Sequence, residues 1–217
     1  MVDAARKRGI LYSRAPAGAG AKGACDTRME QYLFKCEMTA AEAVADMEEF
    51  VRECVDVPGF IKYCETCPYH GTAWSCPPFD FDPMDIWNAY RHLLVVAHKV
   101  IVPEDLASSS FGPGELNRFS ALLIAPYKRE LLRELLAREK RVRGSLALSA
   151  GRCGLCPRCA REDGLPCRRP ESLRHSMEAL GADVSKTVEK YLGDTLRWGR
   201  DGQLPPYYYI VGGLLLP

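Results

Sequence analysis

The stretch His92-Leu-Leu-Val-Val-Ala-His-Lys-Val-Ile-Val102 is apolar and rich in β-branched residues. Such a composition favours a strand that lies buried in a sheet. A second run of this kind, Tyr207 to Leu216, lies late in the sequence, and a shorter one spans Ser145 to Ser149. The three runs predict a small β-sheet around which the rest of the chain packs.

Capping and periodicity signals between these runs predict helices. Thr39-Ala-Ala-Glu42 is a capping box, in which the Thr and Glu side chains satisfy free backbone N–H groups. It predicts a helix over 39–54. Asp82-Pro83 predicts a short helix to about residue 90, because proline suits the first helical position. The amphipathic stretch 115–141 predicts two helices divided at Pro126.

The order of these elements predicts an α+β or α/β fold, a small sheet flanked by helices. Residues 1–24 are rich in Ala, Gly, Arg and Lys and predict a flexible N-terminal tail. Residues 25–217 are predicted to form a single domain. It contains two cysteine-rich, metal-binding loops, at 64–78 and 153–170, which we expect to lie near each other.

Composition argues against several classes of function. The formal net charge is +1, so no bulk attraction to nucleic acid or to an anionic membrane is expected. No apolar run approaches the roughly 20 residues of a membrane span, and no signal-peptide core is present. We therefore predict a cytoplasmic protein. Its ten cysteines would stay reduced there, and clustered reduced thiols indicate metal ligands or redox catalysts.

The second cysteine group has the clearest spacing. Cys153-Gly-Leu-Cys156-Pro-Arg-Cys159 places three thiols at regular intervals, with Cys167 further along as a fourth. This spacing resembles the bacterial ferredoxin run, which binds a [4Fe–4S] cluster. In this chain Arg-Arg-Pro170 follows the fourth cysteine, where the ferredoxin run has proline at once. Zinc is the alternative, but structural zinc sites typically combine two Cys-x2-Cys pairs across a longer spacer.

Several arginines accompany this run. They would offset the negative charge of a thiolate-bound cluster and raise its reduction potential. Alternatively, they are ordinary solvated side chains of a surface loop. These residues are Arg152, Arg158, Arg161, Arg168 and Arg169.

The first cysteine group, Cys64-x2-Cys67-x8-Cys76, offers three thiols at uneven spacing. Three thiols are one short of a full set for a [4Fe–4S] cluster. Either a fourth residue completes the set, or one iron keeps an open position that could bind a substrate. The candidates for a fourth ligand are Cys36, Cys54 and His70. For two of them we favour a structural role over ligation. Cys54 would be a small buried residue on the apolar face of its helix, and His70 would be hydrogen-bonded to the backbone of its turn.

Together these motifs resemble a prokaryotic family of predicted metal-binding proteins, catalogued as a domain of unknown function. The resemblance rests on Cys64-x2-Cys67-Pro, Trp74-Ser-Cys-Pro-Pro-Phe79-Asp80, Ala147-Leu-Ser-Ala-Gly151, the Cys153 run, Cys167-Arg-x-Pro170-Glu171, Arg174 and Ser176-Met-Glu-Ala-x-Gly-x-Asp-Val184. It implies metal binding through seven cysteines: Cys64, Cys67, Cys76, Cys153, Cys156, Cys159 and Cys167. It further suggests an accessory redox role in anaerobic one-carbon and corrinoid metabolism.

The last of these motifs, residues 176–184, has two interpretations. Its polar residues, Ser176, Glu178 and Asp183, could be partners of a cluster or of a substrate. In the simpler interpretation, which we favour, Met177 and Leu180 face the core and Asp183 caps the next helix.

Three functions are compatible with the sequence. The favoured one is an iron–sulfur protein with two [4Fe–4S] clusters. It would transfer electrons to a redox partner protein or reductively activate a corrinoid or one-carbon enzyme. The second is an oxidoreductase or lyase whose three-cysteine cluster binds a small molecule at an open iron. The third is a zinc-stabilised interaction module. No nucleic-acid or membrane partner is expected.

Overall fold

In the computed structural model of the chain, residues 6–8, 36–112 and 114–217 are described. Most of the predicted tail over residues 1–24 lies outside the described residues, as does Cys25, and the domain boundary placed there stays a prediction. The described chain combines one antiparallel sheet with several helices, which confirms the α+β class and excludes a parallel α/β sheet. None of its described helices has the length and apolar character needed to cross a bilayer.

The sheet has five strands in the order β1-β2-β3-β5-β4, and every neighbouring pair is antiparallel. The strands are β1 (Arg6–Arg8), β2 (Met38–Asp46), β3 (His92–Ile101), β4 (Leu146–Leu148) and β5 (Tyr207–Leu216). The central strand β3 pairs with β5 along its whole length, from His92 opposite Leu216 to Ile101 opposite Tyr207. All three strands that the apolar runs predict are therefore confirmed.

Strand β2 replaces most of the helix predicted over 39–54, which is wrong for residues 39–46. Residues 38–46 pair with β3 in unbroken register. This long ladder beside a buried apolar strand outweighs the few local hydrogen bonds of the capping box, because tertiary pairing overrides weak local propensity. The helix begins only at Met47, where the Asp46 carboxylate accepts a hydrogen bond from the N–H of Glu49 at 3.1 Å.

The helices surround the sheet. In chain order they are α1 (Met47–Cys54), α2 (Val57–Glu65), α3 (Pro83–Asn88), α4 (Glu104–Ala107), α5 (Glu115–Glu139) and α6 (Val184–Thr187), which continues as a π-helical turn, Val188–Leu192. Short 3-10 turns cover Ala160–Asp163, Pro170–Ser172 and Glu178–Leu180. The helix predicted from Asp82-Pro83 is confirmed as α3, capped by the Asp82 carboxylate.

Helix α5 is continuous, so the predicted division at Pro126 is wrong. Proline removes one hydrogen bond from a helix interior and crowds the preceding turn. Here that cost is offset because leucines on both sides of Pro126 are buried in the protein core. They are Leu123, Leu131, Leu132 and Leu135.

The sheet separates two apolar layers. One layer joins Leu131 and Leu135 of α5 to side chains of β3 and β5. A Cβ atom on Gly212 of β5 would lie 2.8 Å from Leu135 Cδ1, so the glycine permits this close packing. The opposite layer joins α1, α3 and residues 177–182 to the other face of the same strands. Phe79 and Phe81, just after the first cysteine group, pack against this second layer and fix that loop to the core.

Candidate metal centre

The first cysteine loop, residues 64–78, begins inside a helix. Cys64 lies in the last turn of α2, and the chain then continues through successive turns. The N–H of Cys67 donates to the Cys64 carbonyl at 3.0 Å, and that of Cys76 donates to the Ala73 carbonyl at 3.0 Å. Gly71, whose φ is +69°, donates to the Pro77 carbonyl at 2.8 Å and closes the loop on itself.

The three thiols of this loop are electrostatic neighbours. Burial raises the pKa of Cys64, and negative charge on Cys76 and Cys67 raises it further. Burial also raises the pKa of Cys76, whereas a hydrogen bond from Ser75 and the positive charges of Arg152 and Arg161 lower it. Because negative charge nearby disfavours ionisation of Cys64 and Cys76, a bound cation would favour their thiolate forms.

The second cysteine loop, residues 153–170, gathers four thiols. Burial raises the pKa of Cys153, and negative charge on Cys167, Cys156 and Cys159 raises it further, while the Leu155 backbone N–H lowers it. The N–H of Arg169 donates to the Cys167 sulfur at 3.4 Å. The fold therefore places Cys167 near Cys153, and the shared ligation by all four cysteines stays a prediction.

Arg161 binds the two loops together. Its guanidinium, in the 3-10 turn that follows Cys159, donates to the carbonyls of Ala73 (3.0 Å), Cys76 (2.6 Å) and Pro78 (2.6 Å). It also lies over the Trp74 ring, with its carbon 4.9 Å from the ring centroid. Arg161 thus acts as a hydrogen-bond clamp between the loops, and the charge interpretation of the arginines stays a prediction.

Further contacts join the same two loops. The Cys153 N–H donates to Ser75 Oγ at 3.0 Å, and Trp74 Nε1 donates to the Leu165 carbonyl at 2.9 Å. The Arg152 guanidinium lies 4.1 Å from the centroid of the Tyr69 ring. The two loops therefore lie near each other, as predicted. The three thiols of the first loop and the four thiols of the second lie on either side of this contact.

The other cysteines belong to different surroundings. Cys54 is 2% exposed and packs in the apolar core beneath α1, as its helical position predicts. The carbonyl of Cys36 accepts a hydrogen bond from the Tyr127 hydroxyl at 3.4 Å. Neither thiol is among the groups that shift the pKa of Cys64. His70 contributes its backbone N–H to the Cys67 carbonyl at 3.0 Å, within its turn.

The structure adds two residues to the surroundings of the first loop. His175 Nδ1 lies 3.2 Å from the Ser75 carbonyl, and its ring packs edge-on against Phe79 and Phe81. Glu178 lies close enough to Cys64 for its charge to raise the pKa of that thiol. Met177 and Leu180 are buried and Asp183 caps α6, so the simpler interpretation of this motif holds for them but is incomplete for Glu178.

A cavity of about 1340 Å³ borders the first loop. Its lining includes Phe60 and Tyr63 of α2, Ile124 and Lys128 of α5, Gly151 and Glu178. Residues 152–170 are not part of this lining. Residues 64–78 do not line it either, and lining residues precede both loops: Tyr63 the first and Gly151 the second.

The chemistry of the donors fits a soft metal. All described cysteines are free thiols, and those of the two loops are gathered as three and four. Within the described ranges, no three His, Cys, Asp or Glu side chains converge closely enough to hold a single metal ion. Sulfur ligands that each bind a different iron of a cluster need not converge on one point, so the wider spacing is compatible with a polynuclear centre.

An α+β protein with two adjoining thiol-rich loops defines a class of candidate metalloproteins. The chain belongs to the family described as "Predicted metal-binding protein (DUF2284)", whose model matches residues 51–216. This match confirms the family resemblance and covers both cysteine loops. No curated protein and no solved structure matches the chain.

Proposed function

We propose that the chain is an iron–sulfur protein with two [4Fe–4S] clusters that transfers electrons or reductively activates a partner enzyme. Cys153, Cys156, Cys159 and Cys167 would hold one cluster, and Cys64, Cys67 and Cys76 would hold the other. The supporting observation is the clamp between the loops, in which Arg161 donates to three carbonyls of the first loop. Adjacent redox centres can exchange electrons without a large movement of the protein.

The surroundings of the thiols are compatible with iron–sulfur ligation. Arg152 and Arg161 lower the pKa of Cys76 and would offset the negative charge of a thiolate-bound cluster. The backbone N–H of Arg169 already points to the Cys167 sulfur, and such hydrogen bonds tune cluster potentials. In the zinc alternative the same thiols would hold isolated ions and stabilise an interaction module.

The partner proposed for electron transfer is a redox protein or a corrinoid or one-carbon enzyme of anaerobic metabolism in the cytoplasm. This part rests on the family resemblance. When bound, the clusters would supply one-electron reduction. The chain itself contributes the two loops, their hydrogen-bonded contact and the positive charges beside Cys76.

A second function is favoured by the cavity. The three-thiol loop leaves one ligand position of a [4Fe–4S] cluster without a cysteine, and a space lined by Tyr63 and Glu178 adjoins that loop. An iron with an open position acts as a Lewis acid toward an oxygen, nitrogen or sulfur atom of a bound molecule. An enzyme that binds its substrate there is the alternative to simple electron transfer.

The test is elemental analysis of the full chain purified without oxygen, combined with visible and EPR spectra. We expect about eight iron and eight acid-labile sulfide per chain, the content of two cubane clusters. About four of each would leave one cluster and contradict the assignment of the three-thiol loop. Zinc without sulfide would overturn the redox proposal. A change in the EPR signal on addition of cyanide would favour the enzyme with an open iron over pure electron transfer.

A further inference from the structure

Strand β5 has an edge that β4 covers only in part. β4 pairs with residues 213–215, and no described strand continues that ladder along β5. The chain instead leaves β5 at Ser149, whose N–H donates to the His175 carbonyl at 2.8 Å and which pairs with Ser176. Residues 207–212 of β5 therefore have a strand partner, β3, on one side only.

A backbone hydrogen bond shows which groups of β5 face this open edge. The N–H of Val102 donates to the Pro206 carbonyl at 2.9 Å, and these two residues are the next pair in the register of β3 with β5. Successive residues of an antiparallel strand direct their backbone groups to opposite edges. Pro206 and every second residue after it thus face β3, and Tyr209 and Val211 face the open edge. No backbone group of the described residues bonds to them on that side.

The open edge borders the cavity described above. The cavity lining includes residues 208–211 of β5, together with residues 150–151 and 196–199. Tyr209 is half-buried there, whereas Val211 is 3% exposed, so the edge is more accessible at Tyr209. An unpaired strand edge is a template for a further strand, because its backbone groups lack partners. An extended segment in the cavity would therefore continue the sheet where β4 stops.

The charged side chains of the lining favour an acidic segment. Four basic residues of the lining form no ion pair with any described residue: Lys62, Lys128, Lys186 and Arg197. The acidic residues of the lining are already engaged or enclosed. Glu53 pairs with Lys190, and the carboxylates of Asp56 and Asp183 cap α2 and α6. Glu178 Oε2 is inaccessible to solvent. The cavity therefore offers unpaired positive charge to an incoming chain.

We propose that this cavity binds an extended acidic peptide segment of a partner protein, which adds to the open edge of β5 as a further strand. The peptide backbone would exchange hydrogen bonds with Tyr209 and Val211. Its Asp or Glu side chains would pair with the unpaired basic residues of the lining. In strand addition the main-chain hydrogen bonds supply affinity, and alternate side chains supply specificity. This assignment does not depend on which metal the cysteines hold.

Fluorescence anisotropy with the full, anaerobically purified chain tests the assignment with four matched, fluorescein-labelled peptides. The parent is Val-Glu repeated three times with blocked ends, and Val-Lys repeated three times reverses its charge. Two further versions of the parent carry N-methyl groups on all Val amides or on all Glu amides. We expect the parent to bind about tenfold or more tightly than the Lys peptide, and one methylated version to lose about tenfold or more, because its donors toward β5 are removed. Absence of binding by the parent below about 1 mM, or unchanged binding of both methylated versions, would overturn the assignment.

Hydrogen exchange resolved to single amides locates the added strand. In the free chain the Tyr209 amide should exchange faster than those of Tyr208 and Ile210, which are bonded to β3. A saturating amount of the Val-Glu peptide should slow exchange at Tyr209 about tenfold or more, because the amide gains an acceptor. Exchange at Tyr208 and Ile210 should stay slow with and without the peptide. Binding without any slowing at Tyr209 would contradict strand addition.

Charge-reversal variants test the role of the basic lining. Lys62→Glu and Arg197→Glu change exposed side chains of the cavity, and each should weaken binding of the Val-Glu peptide about threefold or more. Lys140→Glu and Arg143→Glu reverse exposed charges outside the lining and should leave binding unchanged. Circular dichroism and metal content would establish that each variant folds and loads normally. Equal effects of both pairs would contradict the assignment even if two clusters are present, so this proposal and the redox proposal can fail separately.

Discussion

The two cysteine loops bring their thiols together in different ways. The second gathers four thiols within one short segment that begins directly after the sheet edge. The first takes one thiol from the end of α2 and two from the turns that follow, and it gathers only three. Neither loop lines the cavity itself, but residues next to each loop do, Tyr63 beside the first and Gly151 before the second. A complete ligand set suits a centre that only carries charge, and an incomplete one beside a cavity suits a centre that also meets a molecule.

The contact between the loops makes this difference useful. The Arg161 clamp and the hydrogen bond from Cys153 to Ser75 hold the four-thiol loop beside the three-thiol loop. The arrangement would allow electrons to enter through one centre and be used at the other.

The largest expected effect comes from breaking one thiol set at a time. Cys156→Ala should remove about half of the iron per chain and lower the melting temperature by about 5–10 °C, because metal binding contributes directly to folding. Cys64→Ala should remove the other half. Iron content and thermal unfolding of each variant measure this effect.

Cys54→Ala is the matched control, because Cys54 is buried in the apolar core and is not among the groups that shift the pKa of Cys64. It should reduce stability slightly and keep the full iron content. Wild-type iron content and melting temperature in Cys156→Ala would show that this ligand assignment is wrong.

An intermediate effect is expected from loosening the contact between the loops. Arg161→Ala removes a donor from each of three carbonyls and should destabilise the protein by about 2 kcal/mol, with faster loss of metal from both loops. Chemical denaturation and the rate of iron release to a chelator measure the two effects.

The control for this change is Arg158→Ala in the same segment. Arg158 forms exposed ion pairs with Glu162 and Asp163, so its removal should cost about 0.5 kcal/mol or less. Equal effects of the two variants would mean that Arg161 is not the clamp between the loops.

The smallest effect is expected for a substitution of Asp194, which contacts the sheet, and it serves as a reference. Asp194 accepts hydrogen bonds from Lys99 of β3 at 2.7 Å and from Tyr209 of β5 at 2.8 Å. The Lys99 bond is the main reason that the pKa of Asp194 lies well below its ordinary value of 3.8. A carboxyl group with a lowered pKa stabilises the fold above pH 3.8, and this stabilisation is lost as the pH falls toward the folded-state pKa.

Asp194→Asn should therefore cost about 1 kcal/mol at pH 7 and progressively less below pH 4. Iron content should not change, because the residue lies away from both loops. Urea denaturation at several pH values, with Asp201→Asn as an exposed control, measures this dependence. A cost that grows on acidification would contradict the stated role of the carboxylate.

Local patterns predicted the parts of the fold that local physics decides. The strands β3, β4 and β5 follow from uninterrupted apolar composition, and α3 follows from the Asp82 cap. Residues 39–46 were misassigned because their strand conformation depends on a partner strand about 50 residues away, which the capping box does not reveal. Pro126 was misassigned for a similar reason, since burial of leucines on both sides of it keeps the helix intact.

Only those parts of the candidate site that follow from the spacing of the cysteines could be predicted. The Cys153 run and its return to Cys167 follow from sequence, as does the burial of Cys54. The approach of Glu178 to Cys64 and to Lys128 depends on packing between α2, α5 and the segment after the second loop. The sequence motifs do not show that these three side chains lie near one another. Arg161 could be suspected only as one of five arginines, because its three acceptors lie more than 80 positions away.

The position of β5 has a consequence for biosynthesis. Among the described strands it comes last in chain order, yet it lies between β3 and β4 and is the only one of them that pairs with β4. β4 leads directly into the second cysteine loop. That loop is therefore not held by a paired strand until β5 has been synthesised. Both thiol sets would thus leave the ribosome before their scaffold exists. We therefore expect cluster insertion to follow the synthesis of β5, and unloaded chains to be the form most exposed to oxidation and proteolysis in the cell.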